Sequence, residues 1–278
     1  MVRTGCLASF SANSSRRVHR IIMKKKGTVQ GKVALVTGGS RGIGKAVTLL
    51  LAKERITIVI GYLRNDQAAG KTAEEVEKLR GNTWLCKMDL RNPDEIKAMF
   101  QEIKERYGRL DIFVHAAALG VFKPMLNLSP IQLSRTFDIN VRSFVMCVQE
   151  SSKLMDRGGS IVAISSLGSQ RYVSEYGAMG IAKACLEAAV RYLAVELAPR
   201  NIRVNAVAGG PVDTAGVKLF SYYERGRRQS IKMTPAGRLA TPRDIANVIA
   251  FLCEEESGWI RGQTLIADGG LSLKLLSL

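Results

Sequence analysis

Short runs of β-branched and other apolar residues alternate along the chain with longer stretches whose apolar positions recur at helical spacing. The pattern starts at Lys32 and continues almost to the C-terminus. Apolar runs of four to eight residues predict buried strands. The predicted strands are 33–37, 56–60, 83–87, 112–115, 160–164, 203–207 and 263–267.

The longer stretches between these runs predict helices. Asn92-Pro93 and Thr241-Pro242 are typical helix starts, because proline is favoured at the first helical position. Ile181, Cys185 and Ala188 belong to an apolar stripe at helical period in the fifth predicted helix. The predicted helices are about 43–53, 66–80, 93–107, 130–155, 174–198 and 241–253.

Strict alternation of strand and helix indicates the α/β class. We expect a single Rossmann-type, doubly wound parallel sheet of about seven strands with helices on both faces, spanning residues 32–278. Ligands of such sheets bind at the carboxyl ends of the strands. The least regular stretch, 211–240, is expected to form a lid or binding loop.

The net charge of +17 is unevenly distributed. Residues 1–31 hold seven lysines and arginines and no acidic residue, and the first acidic residue of the chain is Glu54. This leader lacks the apolar segment of a secretory signal. Three interpretations stay open: a disordered tail ahead of a true start at Met23, an organelle transit peptide, or a basic arm for nucleic acid.

Other features of the composition exclude several classes of protein. The five cysteines are scattered without a CxxC pair, which favours a reducing compartment over a disulfide framework. His19 and His115 lie far apart without zinc-ligand spacing, so we expect no metal site. No run of 18 apolar residues predicts a membrane span. We expect a cytoplasmic protein that binds neither membrane nor nucleic acid, with organelle import through the leader left open.

A glycine-rich stretch, TGGSRGIG at residues 37–44, lies between the first predicted strand and the first predicted helix. Glycines there allow a tight turn and a close approach of the backbone to a pyrophosphate, and the helix N-terminus attracts its charge. In this strand–loop–helix context the stretch predicts a dinucleotide site. The cofactor-binding residues expected here are Gly38, Ser40, Arg41, Gly42, Ile43 and Gly44.

The residues after the second strand indicate which dinucleotide binds. NAD-binding proteins usually carry a carboxylate there for the ribose hydroxyls, whereas this chain reads Leu63-Arg64-Asn65. Arg64 and Arg41 suit the 2′-phosphate of NADPH through charge-assisted hydrogen bonds. Asp89-Leu90 after the third strand should border the adenine, and Ala116 after the fourth should lie along the cofactor. His115 is assigned no chemical role.

The stretch SEYGAMGIAK, residues 174–183, places Tyr176 seven positions before Lys183. Together with the glycine loop and several shorter motifs, this pair resembles the short-chain dehydrogenase/reductase superfamily over nearly the whole chain after the leader. The shorter motifs are Asp138-Ile139-Asn140-Val141, Ser165-Ser166, Gly209-Gly210-Pro211-Val212-Asp213-Thr214 and Asp268-Gly269-Gly270.

The spacing between Tyr176 and Lys183 indicates which branch of the superfamily this chain resembles. Most members of the superfamily have tyrosine four positions before the lysine, but that position here is Met179, which cannot donate a proton. A seven-residue spacing resembles the enoyl-acyl-carrier-protein reductases of fatty-acid synthesis. The stretches SSLGSQRY and RGQTLIADGG are similar to an NADPH-linked class of these enzymes.

The resemblance implies catalytic roles for two residues. Tyr176 would hydrogen-bond the thioester oxygen, stabilise the enolate and act as a general acid. Lys183 would hold the nicotinamide ribose and favour the phenolate of Tyr176. On a helix, four and seven residues correspond to about 400° and 700° of rotation, so both spacings direct the phenol toward the lysine. The shift of about 4.5 Å suits an oxygen further from the hydride acceptor than in a ketone.

The roles of Ser166, Asn140 and Ser165 stay open. The commonest enoyl reductases have a second tyrosine where this chain has Ser166, so that tyrosine's role is not transferred, although Tyr172 could lie nearby. Asn140 either tunes backbone or water near the lysine or caps a helix. Ser165 either donates to the substrate carbonyl or bonds to backbone.

Two further segments suggest partners. Residues 220–228 mix aromatic and basic side chains, which suits either a lid that docks an acidic acyl carrier protein or a solvated basic loop. The apolar C-terminus, 271–278, is expected in a subunit interface, and the resemblance implies a homotetramer.

The predicted function is NADPH-dependent reduction of trans-2-enoyl thioesters, carried by acyl carrier protein, in fatty-acid elongation. One alternative is a 3-ketoacyl-thioester or general carbonyl reductase of the same superfamily. The other is a non-catalytic module that binds NADPH or nucleic acid.

Overall fold

The computed structural model describes residues 31–214 and 223–273 and places seven parallel strands of these ranges in one sheet. The strands pair in the order β3-β2-β1-β4-β5-β6-β7, so the Rossmann-type doubly wound fold is confirmed. Apart from Gly31, the predicted leader lies outside the described residues. The strands are β1 Val33–Thr37, β2 Thr57–Tyr62, β3 Thr83–Lys87, β4 Ile112–His115, β5 Gly159–Ser166, β6 Ile202–Gly209 and β7 Thr264–Ala267.

Helices connect successive strands, and two of them begin at the prolines expected from the sequence. The N-terminal caps are side-chain acceptors: Asn92 bonds the backbone N–H of Asp94, and Thr241 bonds that of Asp244. The helices are α1 Gly42–Lys53, α2 Asp66–Lys78, α3 Pro93–Tyr107, α4 Pro130–Phe137, α5 Ser143–Ser152, α6 Gly177–Glu196, α7 Tyr223–Met233 and α8 Pro242–Cys253.

Both faces of the sheet are covered, as the near-continuous apolar strands require. Along β1, Val33 and Leu35 pack on the side of α3, α5 and α6, while Ala34 and Val36 pack on the side of α1, α2 and α8. All four side chains are fully buried. Because helices cover both faces, a ligand can approach the sheet at the carboxyl ends of its strands.

The predicted helix 130–155 is observed as one continuous helical stretch, 130–152, in which a π-helical turn at Asp138–Arg142 joins α4 to α5. Asn140 lies in this turn and is fully buried. Its Nδ2 donates to the carbonyl oxygens of Leu119 at 2.7 Å and Thr136 at 2.8 Å. The amide therefore joins the turn to the loop after β4 and does not cap a helix.

The start of the fifth predicted helix is also corrected, since α6 begins at Gly177 and not at 174. Glu175 has φ of 59°, a left-handed conformation that cannot continue into a helix. Its carbonyl oxygen accepts from the N–H of Lys123 at 2.9 Å. Tyr176 is consequently the last residue before the helix, whereas Lys183 lies within it.

The predicted lid at 211–240 is described only in part. Its described portion holds α7 and a bridge between Val212 and Ala240. Of the aromatic and basic cluster at 220–228, residues 220–222 lie outside the described residues, as do residues 274–278 of the apolar C-terminus. Across the described ranges, no helix combines the length and apolarity needed to cross a bilayer.

Candidate active site

The loops that follow β1 and β4 meet at the switch point of the sheet, where strand order reverses. Gly38, at the end of β1, has φ of 67°. A Cβ atom there would lie 2.9 Å from the backbone N of Ala117, so only glycine allows the two loops to touch. The carbonyl oxygen of Thr37 accepts from the N–H of Ala116 at 3.1 Å. This crevice is where doubly wound folds bind nucleotides.

The glycine loop forms a cradle suited to a pyrophosphate. A Cβ at Gly44 would lie 2.2 Å from the carbonyl oxygen of Gly38, so the loop folds tightly onto the first turn of α1. Arg41 precedes that helix without a side-chain cap, and the first turn contains no acidic residue. The first N–H groups and the positive end of the helix dipole therefore remain available to an anion.

Ser40, Gly42 and Ile43 are the other residues of this loop that the sequence predicts to bind the cofactor. Ser40 is buried, and its carbonyl oxygen accepts from Thr72 Oγ1 at 3.1 Å, which ties the loop to α2. Gly42 has φ of 55°, and Ile43 is half-buried against the core. These residues could hold the phosphates through backbone groups.

Exposed residues follow β2, as a site for the ribose end of a cofactor requires. Leu63, Arg64 and Asn65 are all exposed, and Arg41 is exposed in the neighbouring loop. Asn65 Oδ1 accepts from the N–H of Ala68 at 2.9 Å and so caps α2. The two guanidinium groups could hold a phosphate, whereas the Asn65 oxygen already has a structural partner.

After β3, the residues predicted to border the adenine differ in accessibility. Arg91 donates to both carboxylate oxygens of Asp89, at 2.9 and 2.5 Å, and this contact lowers the pKa of Asp89. The positive charge of Arg64 contributes in the same direction. Leu90 packs in the hydrophobic core with its side chain buried. Leu90 could therefore contribute backbone groups to a cofactor but not its side chain.

Tyr176 lies against the turn that follows β5. Its ring packs on Gly168, where a Cβ would lie 2.5 Å from Cδ1, and the ring centroid of Phe122 is 5.7 Å from that of Tyr176. Burial raises the pKa of Tyr176, and a hydrogen bond with the Ser166 side chain offsets part of that rise. The residue is therefore a neutral phenol at physiological pH, able to donate a hydrogen bond.

Lys183 is buried beneath the same strand end, with 3% of its surface exposed. Its Nζ donates to the carbonyl oxygen of Ile164 at 2.7 Å. Burial lowers the pKa of Lys183 to about 8, and the charge of Glu187 opposes this shift. His115 is also buried; burial and the charge of Lys183 lower its pKa to about 3, and Nδ1 lies 3.2 Å from Thr37 Oγ1. His115 is therefore neutral, which suits a structural role.

Met179 fills the position four residues before Lys183. Its Sδ lies 3.7 Å from Nδ2 of Asn140, and its side chain is 6% exposed. A Cβ at Gly120 would lie 2.3 Å from the same sulfur. A buried thioether thus packs between the π-helical turn and the loop after β4.

The structure separates the two serines at the end of β5. Ser165 Oγ donates to Glu187 at 2.5 Å and is buried, so the expected donation to a substrate or to backbone is wrong. Ser166 points to the opposite face, as neighbouring strand residues do, and it bonds Tyr176. The sequence left Ser166 without a role, although strand alternation could have distinguished the pair. Tyr172 is 91% exposed.

Comparisons with known proteins agree with this architecture. A family described as Enoyl-(Acyl carrier protein) reductase matches residues 38–272. The chain is 43% identical over 245 residues to 1-cyclohexenylcarbonyl-CoA reductase of Streptomyces collinus, with 87% of each protein covered. It is 32% identical over 255 residues to a hydroxynaphthalene reductase-like protein of Metarhizium anisopliae, covering 87% of this chain and 96% of that protein.

A solved structure shares the fold closely. 7α-Hydroxysteroid dehydrogenase, complexed with NADH and 7-oxo glycochenodeoxycholic acid, superposes with a TM-score of 0.82 at 30% identity, covering 87% of this chain and 95% of that chain. The sheet, the glycine cradle and these relatives define an oxidoreductase of the Rossmann type. The chain belongs to the short-chain dehydrogenase/reductase superfamily, in the family described as Enoyl-(Acyl carrier protein) reductase.

Proposed function

We propose that this protein reduces 2-enoyl thioesters with NADPH. The observation that carries the proposal is the buried thioether of Met179, which fills the position from which most superfamily members donate a proton. Tyr176 supplies a neutral phenol packed on Gly168, just after β5, while Lys183 bonds the carbonyl of Ile164 within the same strand. This arrangement suits a substrate whose oxygen lies further from the carbon that receives hydride than in a ketone.

The residues have distinct roles in the proposed reaction. NADPH, when bound, supplies the hydride that adds to the β-carbon of the substrate. Tyr176 hydrogen-bonds the thioester oxygen, where negative charge accumulates, and stabilises the enolate. The enolate then takes a proton at its α-carbon from Tyr176 as the general acid, and solvent returns a proton to the phenolate; the product is the saturated thioester. The ammonium of Lys183 holds the cofactor ribose and adds positive charge near the phenol.

The carrier and the substrate's acyl group are further parts of the proposal. We assign trans-2-enoyl groups on acyl carrier protein, in fatty-acid elongation, as the primary substrate. The relative named 1-cyclohexenylcarbonyl-CoA reductase supports reduction of a conjugated thioester and makes coenzyme A the competing carrier. Carbonyl reduction is the second candidate function, favoured by the similarity to hydroxynaphthalene reductase-like and hydroxysteroid dehydrogenase proteins.

One set of assays tests this proposal. NADPH oxidation should be measured with crotonyl-acyl carrier protein, crotonyl-CoA, 1-cyclohexenylcarbonyl-CoA and acetoacetyl-CoA. We expect turnover of the conjugated thioesters and little turnover of acetoacetyl-CoA, because Met179 cannot protonate a ketone oxygen. Faster reduction of acetoacetyl-CoA would favour a carbonyl reductase. No turnover with any of the four would favour a non-catalytic module that binds NADPH or nucleic acid.

The proposed preference for NADPH has its own test. In the double variant Arg41→Ala/Arg64→Ala, the KM for NADPH should rise by about 100-fold, because two charge-assisted hydrogen bonds to the 2′-phosphate are lost. The KM for NADH should change little. Arg55→Ala/Arg80→Ala is the matched control, since both arginines are exposed in loops at the opposite edge of the sheet. Tighter binding of NADH than of NADPH by the unaltered protein would contradict the assignment.

We also propose that the protein is a homotetramer. Large apolar side chains are exposed on α6 and beyond α8, among them Tyr192, Val195 and Trp259. Exposed apolar area of this kind is commonly covered by another subunit. Light scattering on the purified protein would show whether four chains associate.

A further inference from the structure

Glu187 is a buried carboxylate for which the proposed reaction has no use. It lies one helical turn after Lys183 on α6, with 6% of its surface exposed. Its Oε1 accepts from Ser165 Oγ at 2.5 Å and from Ser169 Oγ at 2.6 Å. A buried charge is costly unless it is hydrogen-bonded. The two hydroxyl groups satisfy it, while Lys183 donates to Ile164.

The two serines flank the turn that supports the phenol. Ser165 is the penultimate residue of β5, and Ser169 closes the short 3₁₀ turn Leu167–Ser169. Ser169 Oγ also lies 2.8 Å from the carbonyl oxygen of Ser166. One carboxylate oxygen therefore fixes both ends of this turn to α6. Charge-assisted hydrogen bonds of this kind are about twice as strong as neutral ones.

Two residues at this turn, Ser166 and Gly168, interact with Tyr176. Ser166 Oγ accepts from the N–H of Gly168 at 3.2 Å, and the Ser166 side chain lowers the pKa of the Tyr176 phenol against the effect of burial. Gly168 is the surface on which the ring rests, and its carbonyl oxygen lies 2.7 Å from where a Cβ of Gly180 would be. The turn is thus enclosed between the ring and the helix. A displacement of the turn would move the phenol.

We propose that Glu187 is a positioning residue that, through Ser165 and Ser169, fixes the turn that sets the place of the Tyr176 phenol. The role of Glu187 in placing the phenol does not depend on the proposed function, whereas the expected effect on the reaction rate rests on it. Small displacements of a catalytic group slow a reaction strongly, since a shift of about 1 Å can lower the rate about 100-fold. Glu187 therefore acts on the reaction through Tyr176 and touches neither substrate nor cofactor.

Four variants separate this role from simple structural support. Glu187→Ala removes the acceptor, and we expect kcat with crotonyl thioester to fall by about 100-fold. Glu187→Gln keeps a neutral oxygen acceptor and should recover most of that loss. Ser169→Ala removes one hydroxyl group and should lower kcat by about 10-fold, and Ser169→Thr should restore it. Glu196→Gln, an exposed carboxylate at the end of α6, is the matched control.

The conditions keep the charge of Lys183 constant. All variants should be compared well below pH 8, where the ammonium persists even without the negative charge of Glu187. The KM for NADPH should stay within about twofold of its original value, because the glycine loop is untouched and Lys183 keeps both its charge and its bond to Ile164 at this pH. A fall in kcat with an equal rise in this KM, or kcat unchanged in Glu187→Ala and Ser169→Ala, would overturn the proposal.

A second readout does not depend on activity. With ¹³C-labelled tyrosine, the ring resonance of Tyr176, identified from the Tyr176→Phe spectrum, should shift in Ser169→Ala and return in Ser169→Thr. An unmoved resonance would reject the positioning role even if the enzyme reduces enoyl thioesters. If the resonance moves but no thioester is reduced by the unaltered protein, the positioning role stands and the proposed function fails.

Discussion

Tyr176→Phe should lower the turnover of crotonyl thioester by about 100- to 1,000-fold, the usual cost of losing a donor to a developing oxyanion. The substitution removes only the phenolic oxygen, and the ring keeps its packing on Gly168 and beside Phe122. The KM for NADPH should be nearly unchanged. The measurement is steady-state NADPH oxidation at saturating cofactor.

The control for this variant is Tyr107→Phe. Tyr107 is a half-buried tyrosine whose pKa is raised by burial, and it ends α3 at the opposite edge of the sheet. Loss of its hydroxyl group should leave turnover unchanged. Turnover of Tyr176→Phe close to that of the unaltered protein would refute the assignment of Tyr176 as the donor.

Lys183→Met should impair the enzyme mainly by weakening the binding of NADPH. The methionine fills the space of the lysine stem while removing the donor and the charge. Loss of a hydrogen bond from a charged group costs about 1.5–3 kcal/mol, so NADPH should bind about 10- to 100-fold more weakly. Fluorescence titration of NADPH measures this directly. The exposed Lys97→Met on α3 is the control, and its affinity should not change.

The same lysine predicts a pH dependence in the unaltered protein. Its pKa of about 8 means that the ammonium is lost as pH rises through that value. Because kcat/KM for NADPH reports groups of the free enzyme, it should fall above about pH 8. In Lys183→Met this decline should be absent. A profile that stays flat to pH 10 would show that the charge of Lys183 is not needed.

The lowered pKa of Lys183 also determines how its contribution to the free energy of unfolding changes with pH. The pKa of Lys183 lies below its ordinary value of 10.5, so the unfolded chain binds more protons than the folded one between about pH 8 and 10.5. The free energy of unfolding contributed by this residue therefore rises with pH over that range. Activity and stability should change in opposite directions there.

The sheet could be predicted from the sequence because its strands are buried on both faces. Such strands appear as continuous apolar runs, and the predicted β1, β3 and β4 coincide with the observed ones. The glycine loop could also be predicted from the sequence, since backbone contacts require glycine at positions 38 and 44. Both features leave a signature in the local sequence: apolar runs for the strands and glycines for the loop.

The details of the candidate site depend on contacts between distant residues. The bond of Asn140, in the π-helical turn, to the carbonyl oxygen of Leu119 joins residues 21 positions apart, and no local periodicity reveals it. The helix argument placed Tyr176 inside α6, whereas the left-handed Glu175 precedes the helix start. Glu187 stood in the predicted helix without a role, because its serine partners lie 22 and 18 residues away.

The glycines beneath Tyr176 have a consequence for how this enzyme can diversify. Any side chain at Gly168 or Gly180 would displace the ring or the turn, so the segment that holds Tyr176 has almost no freedom to vary. In the loop after β4, Phe122 packs on Tyr176, whereas Leu119 and Leu126 are exposed at 49% and 99%. Substitutions at these two exposed leucines can therefore change the surface beside the candidate site while the packing of Tyr176 stays intact.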